Sequence, residues 1–416
     1  MKRQEKVQVL ALSLYGKDIA YLAGFNDGKN IVSFTPEYIL KQARPTLSLA
    51  QLHCPELLVK PWITQQRLHP ILSNLLPEGA LRTWIAQSLK VHEEQEFPLF
   101  AWLGQDLPGA LIATPLMPEQ VPEWALTSRD LIEPIILPAS KQGQRFSLAG
   151  VQIKFSSILR DGRYQVSSQG ELGNWIIKTP STLHPGVPLN EYSMMKLASL
   201  AGVEIPDIEL LPLKNLRGLP NIQLPTETYA YAIKRFDRID DGGRVHSEDF
   251  AQITLEYAHE KYQKGNYETI GRILYHYSED GLAAVQQFAR RLLVNILLAN
   301  GDAHLKNWSV IYPGQIKPVL SPAYDIVYTQ AYIPGETSLA LNLAGEKNWY
   351  KINVEHFKRW AEKIGVNWAS IEVHLHDTLE RARILWPAEL ENLPMLDHHK
   401  AGLKQHWSRL SQDWQI

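Results

Sequence analysis

At 416 residues the chain exceeds what one hydrophobic core usually organises, so at least two domains are expected. Lys and Arg number 42 against 44 Asp and Glu, a formal charge of -2, which leaves no global basic field for nucleic-acid backbones, although a local patch can still exist. The single cysteine, Cys54, excludes an internal disulfide and a Cys-rich zinc site, residues 1–8 lead into no apolar signal core, and no run approaches the ~18 apolar residues of a membrane span, so a soluble cytoplasmic protein with no membrane contact is expected.

Two alternating segments, 7–15 and 19–25, predict strands joined through Gly16 as a hairpin. Helical spacing follows at 70–76 and 78–89. A stretch punctuated by Pro115, Pro118, Pro122, Pro134 and Pro138 then marks a domain junction. Strand patterns with one helix dominate 146–238, and long helical patterns take over from about residue 250, with a short strand at 308–312. The expected fold class is α+β: a small N-terminal domain at 1–136, a mixed β-rich lobe at 137–238 and a mainly helical lobe at 239–416.

Ser147-Leu148-Ala149-Gly150-Val151-Gln152-Ile153-Lys154 is a small-residue turn running into a strand, a form that lets backbone N–H groups approach phosphates. With one glycine it also fits a plain hairpin. Trp175-Ile176-Ile177-Lys178 ends an apolar strand on a lysine. On the next element Glu191, Met194, Leu197, Ala198 and Ala201 share one helical face that ends at Gly202. An inward carboxylate at Glu191 needs a cation, and Lys178 is the candidate; an exposed Glu191 favouring the helix dipole is the alternative. Segment 231–238, with Lys234, Arg235 and Phe236, could carry an interlobe hinge facing adenine, or be a charged edge strand.

The strongest signal is Asn300-Gly301-Asp302-Ala303-His304-Leu305-Lys306-Asn307. Phe288, Leu292, Ile296 and Ala299 recur at helical spacing before it, so the helix is expected to stop one residue before Asp302, with Gly301 just past its end. The Asp-x-x-x-x-Asn spacing suits a carboxylate that accepts a hydroxyl proton and an amide oxygen that coordinates magnesium on nucleotide phosphates. A polar turn would also account for it. Asp325, after Ser321-Pro322-Ala323-Tyr324 and before Ile326-Val327, fits a second magnesium ligand or a turn residue.

In this order these segments resemble the HipA family of bacterial toxin kinases: 147–155, Lys178, Asn190-Glu191-Tyr192, 234–238, 246–252, 300–307 and 322–325. The N-terminal third is similar too, in 33–38, Arg44-Pro45 and Asn74-Leu75-Leu76-Pro77-Glu78-Gly79. The resemblance implies a bilobal protein-kinase-like domain behind a small accessory domain, and Ser/Thr phosphorylation using ATP and Mg2+. It implies Asp302 as base with His304 beside it, and Asn307 and Asp325 on the metal. Nucleotide contacts would come from Ser147, Ala149, Gly150, Val151, Gln152, Lys154, Lys178, Glu191, Lys234, Arg235 and Phe236. A translation-associated substrate such as an aminoacyl-tRNA synthetase is implied, as is a HipB-like helix-turn-helix antitoxin through which operator DNA is reached. Autophosphorylation is implied at Ser147, with Ser156 and Ser157 nearby. Two departures from ordinary protein kinases stand out: Asn300-Gly301-Asp302 lacks the arginine that reads an activation-loop phosphate, and Ile326-Val327 follows Asp325 in place of Phe-Gly. His304 either contacts the transferred phosphoryl group or orders the loop. A catalytically silent scaffold for antitoxin and DNA, and a small-molecule phosphotransferase, are the competing readings.

Overall fold

The computed structural model describes residues 6–125, 131–135, 154–160, 163–166, 173–217, 224–239 and 242–416. In the first of these stretches, β1 (Lys6–Leu14) and β2 (Lys17–Phe25) pair antiparallel with Leu14 opposite Lys17, leaving a two-residue turn. Tyr15 (φ 52) and Gly16 (φ 75) are both left-handed, as a hairpin turn matched to strand twist requires. β3 (Lys29–Phe34), β4 (Trp62–Gln65) and β5 (Leu111–Pro115) complete a meander ordered β4-β3-β2-β1-β5. The proline-rich stretch contributes to this sheet, because β6 (Leu131–Ile132) pairs parallel with β1. Leu10, Leu12, Leu14 and Leu22 face a core closed by short helices, including Pro70–Ser73 and Gly79–Leu89. The first of these is shorter than its spacing predicts, ending before Asn74.

The second sheet runs β10-β12-β9-β7-β8-β11. Its strands are β7 (Lys154–Arg160), β8 (Arg163–Val166), β9 (Trp175–Lys178), β10 (Ile208–Pro212), β11 (Leu216–Arg217) and β12 (Tyr229–Lys234). The Val187–Leu200 helix lies against it, burying Met194, Leu197 and Ala198 together with Tyr231 and Ile233. Behind it, Gly281–Leu297 forms a central helix packed on Tyr267–Tyr277 and Trp368–Asn392. Asp280 caps its N-terminus by accepting Ala283 N–H at 2.9 Å.

That helix ends earlier than expected. Its last helical residue is Leu297, and the left-handed residue is Ala299 (φ 49), not Gly301. Ala299 is fully buried, so the apolar spacing continues past the helix and disguises its end. Gly301 lies close to the Glu336 carboxylate: a Cβ there would fall 2.3 Å from Glu336 Oε1, so a larger residue would displace that side chain.

A small sheet of β13 (His246–Asp249), β14 (Ser309–Tyr312) and β15 (Val319–Leu320) carries the junction with the N-terminal region. Tyr15 Oη accepts His246 N–H at 3.0 Å, Leu49 N–H reaches Glu248 Oε1 at 2.8 Å, and His246 Nε2 lies 2.8 Å from Leu47 O. Thr46 donates through its backbone to Gln315 O and through its hydroxyl to Ile316 O, both at 2.8 Å. No helix among the described residues is long and apolar enough to cross a membrane.

Candidate active site

Lys178 ends β9 between Lys154 of β7 and Tyr231 of β12, and its side chain is buried. Its ammonium forms ion pairs with Glu191 and with Asp325, which approach from a helix and a loop far apart in sequence. Burial alone would pull the Lys178 pKa down, but Asp325 and Glu191 outweigh it and raise it above the usual lysine value. Glu191 faces inward, on the same face as Met194, Leu197, Ala198 and Ala201, all fully buried.

Asp325 has φ 55, a left-handed conformation that Asp tolerates better than most side chains. The segment around it is moored by two asparagines. Asn190, fully buried beside Glu191, accepts Tyr328 N–H at 2.9 Å and donates to Tyr328 O at 3.1 Å. Asn300 donates to Asn295 Oδ1 at 2.7 Å and accepts Asp302 N–H at 3.1 Å; its Nδ2 also lies 3.5 Å from Asp325 O. The same side chain therefore ties the central helix to both loops that carry candidate acids.

Asp302 is half exposed, so its carboxylate can be reached from solvent. Tyr262 donates its hydroxyl to Asp302 Oδ1, and the Tyr262 ring stands edge-on to His304 with centroids 4.9 Å apart. His304 Nε2 lies 3.8 Å from Asp302 Oδ1, while its buried Nδ1 has no hydrogen-bond partner. Burial lowers the His304 pKa to about 4, so the imidazole is neutral near neutral pH. Asn307 donates Nδ2 to Asp302 O at 2.7 Å, which leaves its Oδ1 as the group able to face a cation.

Among the described residues no three His, Cys, Asp or Glu side chains form a cluster that could hold a metal alone. One carboxylate and one amide oxygen suit a magnesium ion that arrives with nucleotide phosphates and keeps its other ligands from phosphate and water.

The remaining candidates divide. Ser147, Ala149, Gly150, Val151 and Gln152 lie outside the described residues. Lys154 stands opposite Lys178 in the β7–β9 ladder. Ser157 is fully buried, which removes its hydroxyl from solvent. Phe236 lies 5.7 Å from the Tyr324 ring, and Lys234 is partly exposed, 4.0 Å from Asp207. Arg235, expected at the nucleotide, is instead turned into the junction with the N-terminal region. Its Nε and Nη2 donate to Asp237 and its Nη1 to Asp106, each at 2.9 Å, because those carboxylates need a buried cation. Tyr262, Asn190, Asn300 and Lys306 emerge as site neighbours to which sequence spacing assigned no role; all but Tyr262 sit beside residues that it singled out.

The family profile described as the HipA-like C-terminal domain matches residues 146–386, and the HipA N-terminal domain matches 10–114. The chain belongs to the HipA family. Its HipA-type sequence is 41% identical over 395 residues to "Putative kinase Y4dM" of Sinorhizobium fredii, covering 94% of both chains. It is 25% identical over 374 residues to the serine/threonine-protein kinase toxin HipA of Shewanella oneidensis, covering 83% of this chain and 82% of that one. The HipA fold is seen as well in the Shewanella oneidensis structure of HipA with HipB and operator DNA. That structure superposes with a TM-score of 0.72 at 21% identity, over 96% of this chain and 97% of that chain.

Proposed function

We propose that this HipA-family protein is an ATP- and Mg2+-dependent serine/threonine protein kinase of the toxin type. The observation that carries the reading is the meeting of buried Lys178 and Glu191 with Asp325, three groups from a strand, a helix and a loop. Burying the Lys178 and Glu191 charges against a partly exposed Asp325 without a further use is a poor route to stability, and kinases use a lysine–glutamate pair to position nucleotide phosphates.

In this reading Lys178, held by Glu191, meets the nucleotide phosphates, and the turn holding Ser147, Ala149, Gly150, Val151 and Gln152 covers them with Lys154 at its base. Asn307 and Asp325 would hold magnesium, which neutralises phosphate charge when bound. Asp302 orients the acceptor hydroxyl and takes its proton, and the Tyr262 hydroxyl stands on Asp302 as an acceptor hydroxyl would. His304, neutral and buried, orders the loop. Phe236 and Lys234 lie toward the adenine side. The three regions 1–136, 137–238 and 239–416 act as accessory domain, small lobe and helical lobe. Self-phosphorylation at Ser147 would add ~1.5 to 2 negative charges where ATP phosphates bind, and so switch the enzyme off. The substrate is a translation-associated protein such as an aminoacyl-tRNA synthetase, and a HipB-like antitoxin neutralises the kinase and links it to operator DNA; the Shewanella complex supports that partner.

Asp302→Gln keeps polarity and approximate size but cannot take a proton. Turnover should fall ~10²- to 10⁴-fold with nucleotide affinity roughly intact, and expression without antitoxin should arrest growth for wild type and not for the variant. Equal toxicity of the two, with no phosphate transferred to protein in lysate, would overturn the kinase reading in favour of a binding scaffold.

A further inference from the structure

Lys306 lies inside the loop between Asp302 and Asn307, yet its ammonium points away from them. It is held at 2.9 Å by Asn74 O, 3.1 Å by Asn74 Oδ1, 3.3 Å by Asp249 Oδ2 and 3.5 Å by Glu78 Oε1. Three of those four acceptors belong to the N-terminal region. Only 12% of the Lys306 side chain is exposed, so its charge depends on these partners in place of water.

The acceptors are themselves anchored. Asn74 donates to Pro70 O at 2.9 Å and to Glu256 O at 2.8 Å, and Gln252 Nε2 donates to Ile71 O at 2.7 Å. Glu78 also pairs with Lys261 at 2.8 Å, next to Tyr262. Burial works against its charge, but Lys306 and Lys261 outweigh it and hold the Glu78 pKa below the usual value. Asp249 caps its own helix by accepting Gln252 N–H at 2.8 Å.

At its other end Lys306 adjoins the candidate metal ligands without touching Asp325 itself: it is the chain neighbour of Asn307 and is hydrogen-bonded to the residue before Asp325. Its carbonyl accepts the Tyr324 hydroxyl at 2.8 Å, and Tyr324 precedes Asp325. Asn307 follows it directly, and Asn307 Nδ2 is fastened to Asp302 O. One residue thus couples the N-terminal region to both ends of the site.

We propose that Lys306 is a positioning residue for the magnesium ligands Asn307 and Asp325, and that Asn74 and Glu78 make the N-terminal domain a working part of the phosphotransfer site. The inference rests on the kinase reading. Groups that stand behind metal ligands set their orientation, and losing one weakens metal binding or activity by about 10–100-fold.

The test uses the full-length chain as Lys306→Met, Lys306→Arg and Glu78→Gln. Nucleotide binding and phosphate transfer are titrated with magnesium, alongside thermal melting. Lys306→Met should raise the half-saturating magnesium concentration by about 10-fold or more, with affinity for nucleotide in EDTA unchanged. Lys306→Arg should restore part of the loss, and Glu78→Gln should move the same way by less. A purely structural lysine would lower the melting temperature and leave the magnesium requirement alone. If Lys306→Met does not fold, Glu78→Gln decides, its partly exposed carboxylate tolerating the isosteric change. A wild-type magnesium curve in the folded variants overturns the inference while the kinase reading stands. A wild-type protein that binds no nucleotide at any magnesium concentration overturns both.

Discussion

Lys178 concentrates the chemistry of the site in one ammonium. Breaking a buried ion pair typically costs about 3–5 kcal/mol; Lys178→Met removes the cation paired with Glu191, whereas Glu191→Gln leaves Lys178 still paired with Asp325 and should cost less. Lys178→Met and Glu191→Gln should therefore each destabilise the protein and weaken nucleotide binding, and the double variant should be no worse than the more damaging single one. Urea denaturation of the four proteins measures this as a double-mutant cycle, and fully additive losses would show that the two do not act as a pair. At this scale the sequence was readable where a residue's neighbours in the chain decide its direction. Met194, Leu197 and Ala198 following Glu191 at helical spacing favour an inward carboxylate over an exposed one, and Glu191 is buried. Arg235 faces away from the nucleotide for a mixed reason: two of its bonds go to Asp237, two residues on, and another to Asp106, 129 residues away, and spacing does not reveal that these carboxylates gather at the junction.

The unit that links the acids is a helix and a loop. Asn190 stands one residue before Glu191 and grips both backbone groups of Tyr328, tying the Val187–Leu200 helix to the segment after Asp325. Asn190→Ala would orphan those two buried groups, each worth about 1–3 kcal/mol, and should release the Asp325 segment as well. A lower urea midpoint together with weaker Mg-nucleotide binding is the expected outcome. Lower stability with unchanged binding would mean that the moorings serve the fold alone. The strands, the Glu191 helix and the loop between central helix and β14 were legible from periodicity. The helix end was not, because burial continues through Ala299 after the hydrogen-bonded turns have stopped.

Across the molecule, the junction between the N-terminal sheet and the rest includes two buried titratable groups of one strand. His246 Nε2 reaches Leu47 O, and its Nδ1 accepts Ala110 N–H at 3.4 Å, a bond that protonation would abolish. Burial lowers its pKa from 6.5 to about 4, against smaller opposing effects of the Leu47 bond and Asp237. Its contribution is complete above pH 6.5 and is lost as the pH falls from there to 4, about 3 kcal/mol at most. Glu248, receiving Leu49 N–H and the Tyr312 hydroxyl, is pushed by burial from 4.5 up to about 7, so its burial becomes unfavourable as the pH rises across that interval. The two slopes oppose each other. Glu248→Gln should therefore make the melting temperature drop more steeply between pH 7 and 4.5, and His246→Gln should make it drop less; parallel curves for all three proteins would show that neither group titrates as its surroundings dictate.

By itself the sequence determined the order of the elements, the inward faces of strands and helices, and the short motifs around Lys178, Glu191, Asp302, Asn307 and Asp325. All of these depend on residues within a turn or two of one another. Only the tertiary structure decided which charges meet: Asp325 with Lys178, Arg235 with Asp106, and Lys306 with Asn74 and Glu78. Such pairs form because burial strips each charge of water and leaves it to find a partner on whatever segment the closed chain brings near.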